Sequence, residues 1–101
     1  MSASLTVIWW RDIPAQVVAR EGRRTHRAML DGRFQEAIDR AAVRAGLTAT
    51  DAYLAEWRRE ERPCGDDLEA EAGRETGLLD AAYPAARLAT LIAAGGKASD
   101  A

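Results

Sequence analysis

Two short apolar runs open the chain. Leu5–Arg11 and Ala15–Arg20 are separated by Asp12, Ile13 and Pro14, and Val17 and Val18 lie at the centre of the second run. β-Branched and aromatic residues at this spacing predict two strands joined by a proline turn over Arg11–Pro14. Glu21-Gly22 is a two-residue turn candidate, because glycine accepts positive φ without steric cost. A third strand is expected over Arg23–Leu30. Short runs with tight connections form an antiparallel meander.

The period changes at Asp31. Phe34, Ala37, Ile38, Ala41, Ala42 and Ala45 recur at helical spacing, with Arg33, Glu36, Arg40 and Arg44 opposite. Asp31 is placed to cap the first turn, and Gly46 followed by Leu47 to close the last. Residues 51–62 fit two periods. As a strand, Tyr53, Ala55 and Trp57 share a face; as a helix, Thr50 caps and Tyr53, Leu54 and Trp57 form a stripe. The aromatic alternation favours a fourth strand. Pro63-Cys64-Gly65 breaks the chain. Asp66 or Asp67 then caps a second helix carrying Leu68, Ala72, Glu75, Leu79 and Ala82, which Pro84 ends. A short helix over Ala85–Ala94 presents Leu88, Leu91 and Ile92. The pattern therefore predicts an α+β fold, an antiparallel sheet of three to four strands with two to three helices packed on one face. Residues 1–94 form a single domain, and the small polar residues 95–101 a disordered tail.

Turn arithmetic assigns the sheet faces. With Glu21-Gly22 as the whole loop, Arg20 pairs with Arg23, Val17 with His26 and Ala15 with Ala28. Ala15, Val17, Ala19, His26, Ala28 and Leu30 then face the core, and Gln16, Val18, Arg20, Arg23, Thr25 and Arg27 face away. Trp9 and Trp10 are neighbours on one strand, so they point to opposite faces. A four-residue Arg11–Pro14 loop puts Trp10 in the core and Trp9 over Gln16; a loop of three or five exchanges them. One indole is expected outside the core. Arginine stems, a partner or the C-terminal segment are the ways to cover it. The partner-binding candidates are accordingly Trp9, Trp10, Gln16, Arg20 and Arg27, since tryptophan and arginine are enriched at binding hot spots.

Composition narrows the chemistry. The 101 residues carry 48% hydrophobic and 30% charged side chains, the balance of one ordinary folded domain. No run approaches the ~18 apolar residues of a spanning helix. With no signal-peptide pattern either, a cytoplasmic location is expected. The net charge of −2 argues against bulk attraction to nucleic acid. Residues 1–50 nevertheless hold eight arginines against five acids, while 51–101 hold six basic residues against eleven acids. Cys64 is the only cysteine, so no internal disulfide or cysteine-cluster metal site is expected. His26 is the one histidine and is read as a hydrogen-bonded structural residue. Asp66-Asp67 and Glu60-Glu61 read as a cap and solvated surface. No phosphate loop or HExxH pattern occurs. No catalytic residue, metal or cofactor is expected.

Three segments, Ile8–Val17, Arg33–Ala42 and Thr50–Trp57, together resemble the small bacterial "virulence factor" family over roughly residues 5–80. The sequence is similar to the domain of conserved virulence factor C proteins of Gram-positive bacteria, where it sits beside an iron–sulfur-scaffold-like module and helical repeats. The resemblance implies an accessory or interaction domain, because the family label names no reaction and supplies no catalytic residues. Stand-alone members are encoded near corrinoid and folate methyl-transfer proteins, which implies a second reading: an accessory subunit or partner of a methyl-transfer enzyme in one-carbon metabolism. The expected function is a non-catalytic cytoplasmic module that binds another bacterial protein. Nucleic-acid binding through an Arg/Trp sheet face is the least favoured class.

Overall fold

A computed structural model describes residues 2–98. Four strands form one antiparallel sheet: β1 (Ala3–Trp10), β2 (Ile13–Glu21), β3 (Arg24–Met29) and β4 (Trp57–Cys64), in the order β3-β2-β1-β4. Helices α1 (Gly32–Arg44) and α2 (Thr50–Leu54) lie between β3 and β4, and α3 (Leu68–Ala82) and α4 (Ala85–Ala93) follow. This is an α+β fold with four helices rather than two or three. The extra one is the five-residue α2.

One core cluster joins the sheet to the helices. Leu5, Val7, Val17 and Ala19 of the inner face pack with Phe34, Ala37, Ile38 and Ala41 of α1, Leu68, Ala72 and Leu79 of α3, and Leu88 and Leu91 of α4. Helix α1 lies against α4 and β2, while α3 spans β2, β3 and β1. The expected stripe of α1 is the buried one. Its ends also follow the sequence. Asp31 accepts a hydrogen bond from Arg33 N, and Gly46 (φ 73) lets Leu47 N reach Ala42 O at 2.9 Å. Asp67 caps α3 by accepting from Ala70 N.

Both hairpin turns differ from expectation. The first is not a proline turn: Trp10 pairs with Ile13, so the loop is Arg11-Asp12, with Arg11 at φ 52. Pro14 lies inside β2, a central strand. It is tolerated because the register shifts there: Ile8 pairs with Gln16 and Trp9 with Pro14, leaving Ala15 as the extra residue of a bulge. In the second hairpin Glu21 pairs with Arg24, so Gly22-Arg23 is the loop and Gly22 takes the positive φ of 59. The pairing is displaced by two residues from the expected register: Val17 meets Ala28, and Ala19 meets His26. A slip of two preserves every side chain's face.

Residues 51–62 divide between the two readings. Thr50–Leu54 is helical and only the part from Trp57 is strand, so Tyr53 belongs to a helix and not to a pleat; Ala49, not Thr50, is its N-cap. The proposed tail starts too early. Gly95 and Gly96 are buried, Asp12 N donates to Gly96 O at 2.8 Å, and Ala98 N donates to Asp12 Oδ2 at 2.6 Å. Residues 99–101 lie outside the described residues.

Candidate functional site

The pairing of β1 with β4 is unbroken from Ala3–Cys64 to Trp10–Trp57, so Trp9 and Trp10 do alternate. Neither is left outside. Trp10 is fully buried. Its ring stacks on Tyr53 with centroids 5.6 Å apart, its Nε1 donates to Tyr53 O at 3.0 Å, and Gly96 closes over its benzo edge. That carbonyl, in the last turn of α2, also accepts from Glu56 N at 3.2 Å. Trp9 is half-buried against the core, edge-on to Tyr83 at 6.2 Å, with the Arg58 guanidinium 5.0 Å from its ring. Its Nε1 is buried without a hydrogen-bond partner. The expected exposed indole is therefore corrected: C-terminal residues of this chain cover both rings.

What stays open is the outer face of the sheet, and the strand registers lay it out as rows. Arg59, Ile8, Gln16 and Met29 form one row; Glu61, Thr6, Val18 and Arg27 the next; Pro63, Ser4, Arg20 and Thr25 the third. Ile8 and Val18, at the centre, are buried; their neighbours on the same face are long side chains whose stems shield apolar surface. The periphery is exposed, and Met29 keeps 68% of its surface. Two depressions indent this face. One of about 570 Å³ is lined by Ile8, Gln16, Trp57, Arg58 and Arg59. The other, about 80 Å³, lies among Ser4, Thr6, Val18, Arg20, Arg27, Arg59 and Glu61. Every lining residue comes from a strand.

Of the sequence candidates, Gln16, Arg20 and Arg27 are open on this face; Trp10 shares its parity with Ile8 and pairs with Trp57 but lies under Tyr53 and Gly96, and Trp9 points the other way, against Tyr83. Ile8, Trp57 and Arg59 were missed. The signal that finds them is the alternation Trp57, Arg59, Glu61 once β4 is placed beside β1. The face is basic and unneutralised. Arg20, Arg27 and Arg59 have no ion pair or side-chain hydrogen bond among the described residues, and Glu61 accepts only from Thr6 Oγ1 at 3.5 Å. Elsewhere among the described residues most guanidiniums are engaged, Arg23 and Arg44 excepted. Arg11 holds Glu56 at 2.8 Å and Gly95 O at 3.0 Å, Arg33 holds Asp80 at 3.0 Å, and Arg62 holds Glu75 at 2.9 Å.

The reactive side chains are dispersed. Cys64 ends β4 and His26 sits in β3, the two opposite edge strands. Three strand spacings, about 14 Å, separate them. Burial pushes the Cys64 thiol up and the Glu71 carboxylate adds to this, the reverse of what a thiolate nucleophile needs. Burial likewise raises the Tyr83 phenol, against the lowering influence of Arg87. The hydrogen bond from Arg74 holds Glu71 below the usual carboxylate range. Among the described residues, no three histidine, cysteine, aspartate or glutamate side chains are grouped to hold a metal ion, and no helix is long and apolar enough to cross a membrane.

No curated protein and no solved structure matches this chain. Residues 8–92 match the family described as "Virulence factor", a span that runs from the centre of the open face on β1 through β4 and into α4. The chain belongs to the virulence factor family.

Proposed function

We propose that this chain is a non-catalytic interaction module whose outer sheet face binds another protein, one that presents anionic groups around an apolar contact. The observation that carries this reading is the uncovered face itself. No helix among the described residues covers it, and around the shielded Ile8 and Val18 it presents Met29, the edge of Trp57 and three unpaired arginines. Protein interfaces are enriched in these residue types, with tryptophan and arginine as anchors. The unpaired guanidiniums select a partner of opposite charge.

The test has two stages. A photoreactive residue at Thr25, on the outer face, or at Val43, on the helical layer, first identifies neighbours in native lysate. A corrinoid- or folate-dependent methyl-transfer protein, the partner class that the resemblance implies, is the first candidate to compare with what is captured. The captured protein is then purified and titrated against wild type, Arg27→Glu and Arg59→Glu. We expect crosslinks at Thr25 only, and binding weakened about tenfold or more by each reversal, most strongly at low salt. Equal binding by the reversed variants, or crosslinks from Val43 alone, overturns the reading. Tighter binding to single-stranded RNA than to any protein would make the face a nucleic-acid platform instead.

A further inference from the structure

We infer that the smaller depression of the outer face is a binding site for a phosphomonoester group, the feature of the partner that this surface recognises. The inference rests on the outer face being a contact surface and adds the chemistry of what it grips. Arg20 of β2, Arg27 of β3 and Arg59 of β4 come from three different strands and border one cavity of about 80 Å³. Ser4 and Thr6 of β1 complete the lining with two hydroxyls. Three like charges around one hollow repel each other unless an anion joins them. Glu61 lines the same hollow, held at the rim by its contact with Thr6 and ion-paired to none of the three, and offsets one charge in the local sum. Two positive charges remain.

That excess matches a group of charge about −2, the state of a phosphomonoester near neutral pH. A phosphodiester, as in a nucleic-acid backbone, carries one negative charge and leaves the second guanidinium unpaired. A single carboxylate also carries one, and its two oxygens offer fewer acceptor sites than three arginine forks and two hydroxyls supply. The hollow, about 80 Å³, is small but admits a group the size of a tetrahedral oxyanion. Arginine's planar fork suits phosphoryl oxygens, and no helix terminus is needed.

The experiment follows backbone amide NMR shifts of the full chain on titration with inorganic phosphate, phosphoserine, sulfate, acetate and a short single-stranded oligonucleotide. Phosphate, phosphoserine and sulfate should saturate shifts at Thr6, Arg27 and Arg59. Lowering the pH from about 7.5 to about 5.5 should weaken phosphoserine, whose second ionisation lies near 6, and leave sulfate unchanged. The groups facing the site are Arg20, Arg27, Arg59 and Glu61. His26 lies on the opposite sheet face, and any titration of the protein itself would move both anions together. Arg20→Gln with Arg59→Gln should weaken phosphate binding about tenfold or more, while Arg87→Gln in α4 should not. Arg20 and Arg59 are exposed and unpaired, so an unchanged melting curve verifies that their variant folds. Acetate binding as tightly as phosphate, the oligonucleotide binding more tightly than phosphoserine, or no saturable shift with any anion overturns the inference. In the last case a partner crosslinked at Thr25 would still uphold the contact surface.

Discussion

The two adjacent tryptophans show how far a single residue can be read. Pleat geometry sends the rings apart and says nothing of what covers them. Tyr53, which accepts the Trp10 indole hydrogen bond, is 43 positions away in sequence. Their environments predict different responses to the same change. Trp10→Phe leaves a cavity and strips Tyr53 O of its indole donor. Trp9→Phe deletes an N–H that has no partner, and relief of that orphaned donor offsets lost contact area. Urea denaturation should show Trp10→Phe as the costlier substitution by about 1–2 kcal/mol. Equal costs would mean that the indole hydrogen bond contributes nothing. Cys64 carries a second expectation. Its raised thiol keeps the thiolate scarce, so at about pH 8 it should alkylate more slowly than free cysteine, with the difference lost on unfolding. The sign is fixed: the folded state disfavours the thiolate, so any stability tied to this group is intact below the thiol's unfolded value and declines as pH rises through its folded one.

Elements were legible where local signals agreed with one another. For α1 the stripe, the cap at Asp31 and the glycine closure at Gly46 all indicate the same boundaries. Phe34→Ala should therefore cost about 3–5 kcal/mol, because its ring is buried edge-on to Tyr83 at 6.2 Å. Asp31→Ala and Asp67→Ala should each cost about 1 kcal/mol, since each removes one capping acceptor. Thermal melts of the three variants rank these claims; a cap loss as large as the core loss would refute the ordering. Residues 51–62 were not legible in the same way. Their aromatics satisfy both periods, and the choice is made by distant partners: Trp10 draws Tyr53 into a helix, and β1 draws Trp57–Cys64 into the sheet. Pro14 misled for a related reason. Proline marks a turn unless a bulge removes the need for its N–H, and a bulge depends on the register with β1.

At the scale of the whole molecule, half of the site was in the sequence. Gln16, Arg20 and Arg27 were placed on the correct face because a register slip of two leaves faces unchanged. Ile8, Trp57 and Arg59 needed the position of β4, which no local turn specifies. The C-terminal residues escaped notice because glycine, lysine and alanine resemble a tail in composition, yet here they bind. Arg11 donates to Gly95 O, Asp12 N to Gly96 O, and Ala98 N to Asp12. A chain ending at Ala94 loses these bonds and uncovers Trp10, and should be destabilised by about 2–3 kcal/mol in urea. Gly96→Ala should also destabilise, because its φ is 93 and a Cβ there would stand 2.8 Å from Trp10 Cζ3. These contacts bear on how the protein is made. A ribosome releases the β1–β2 hairpin first, but its turn waits for residues 95 to 98, and Asp12 and Ala98 are 86 positions apart. The fold is thus closed by a clasp whose halves are synthesised at widely separated times, and a nascent chain halted at residue 90 should leave its Trp10 indole accessible to a solvent quencher that the finished protein excludes.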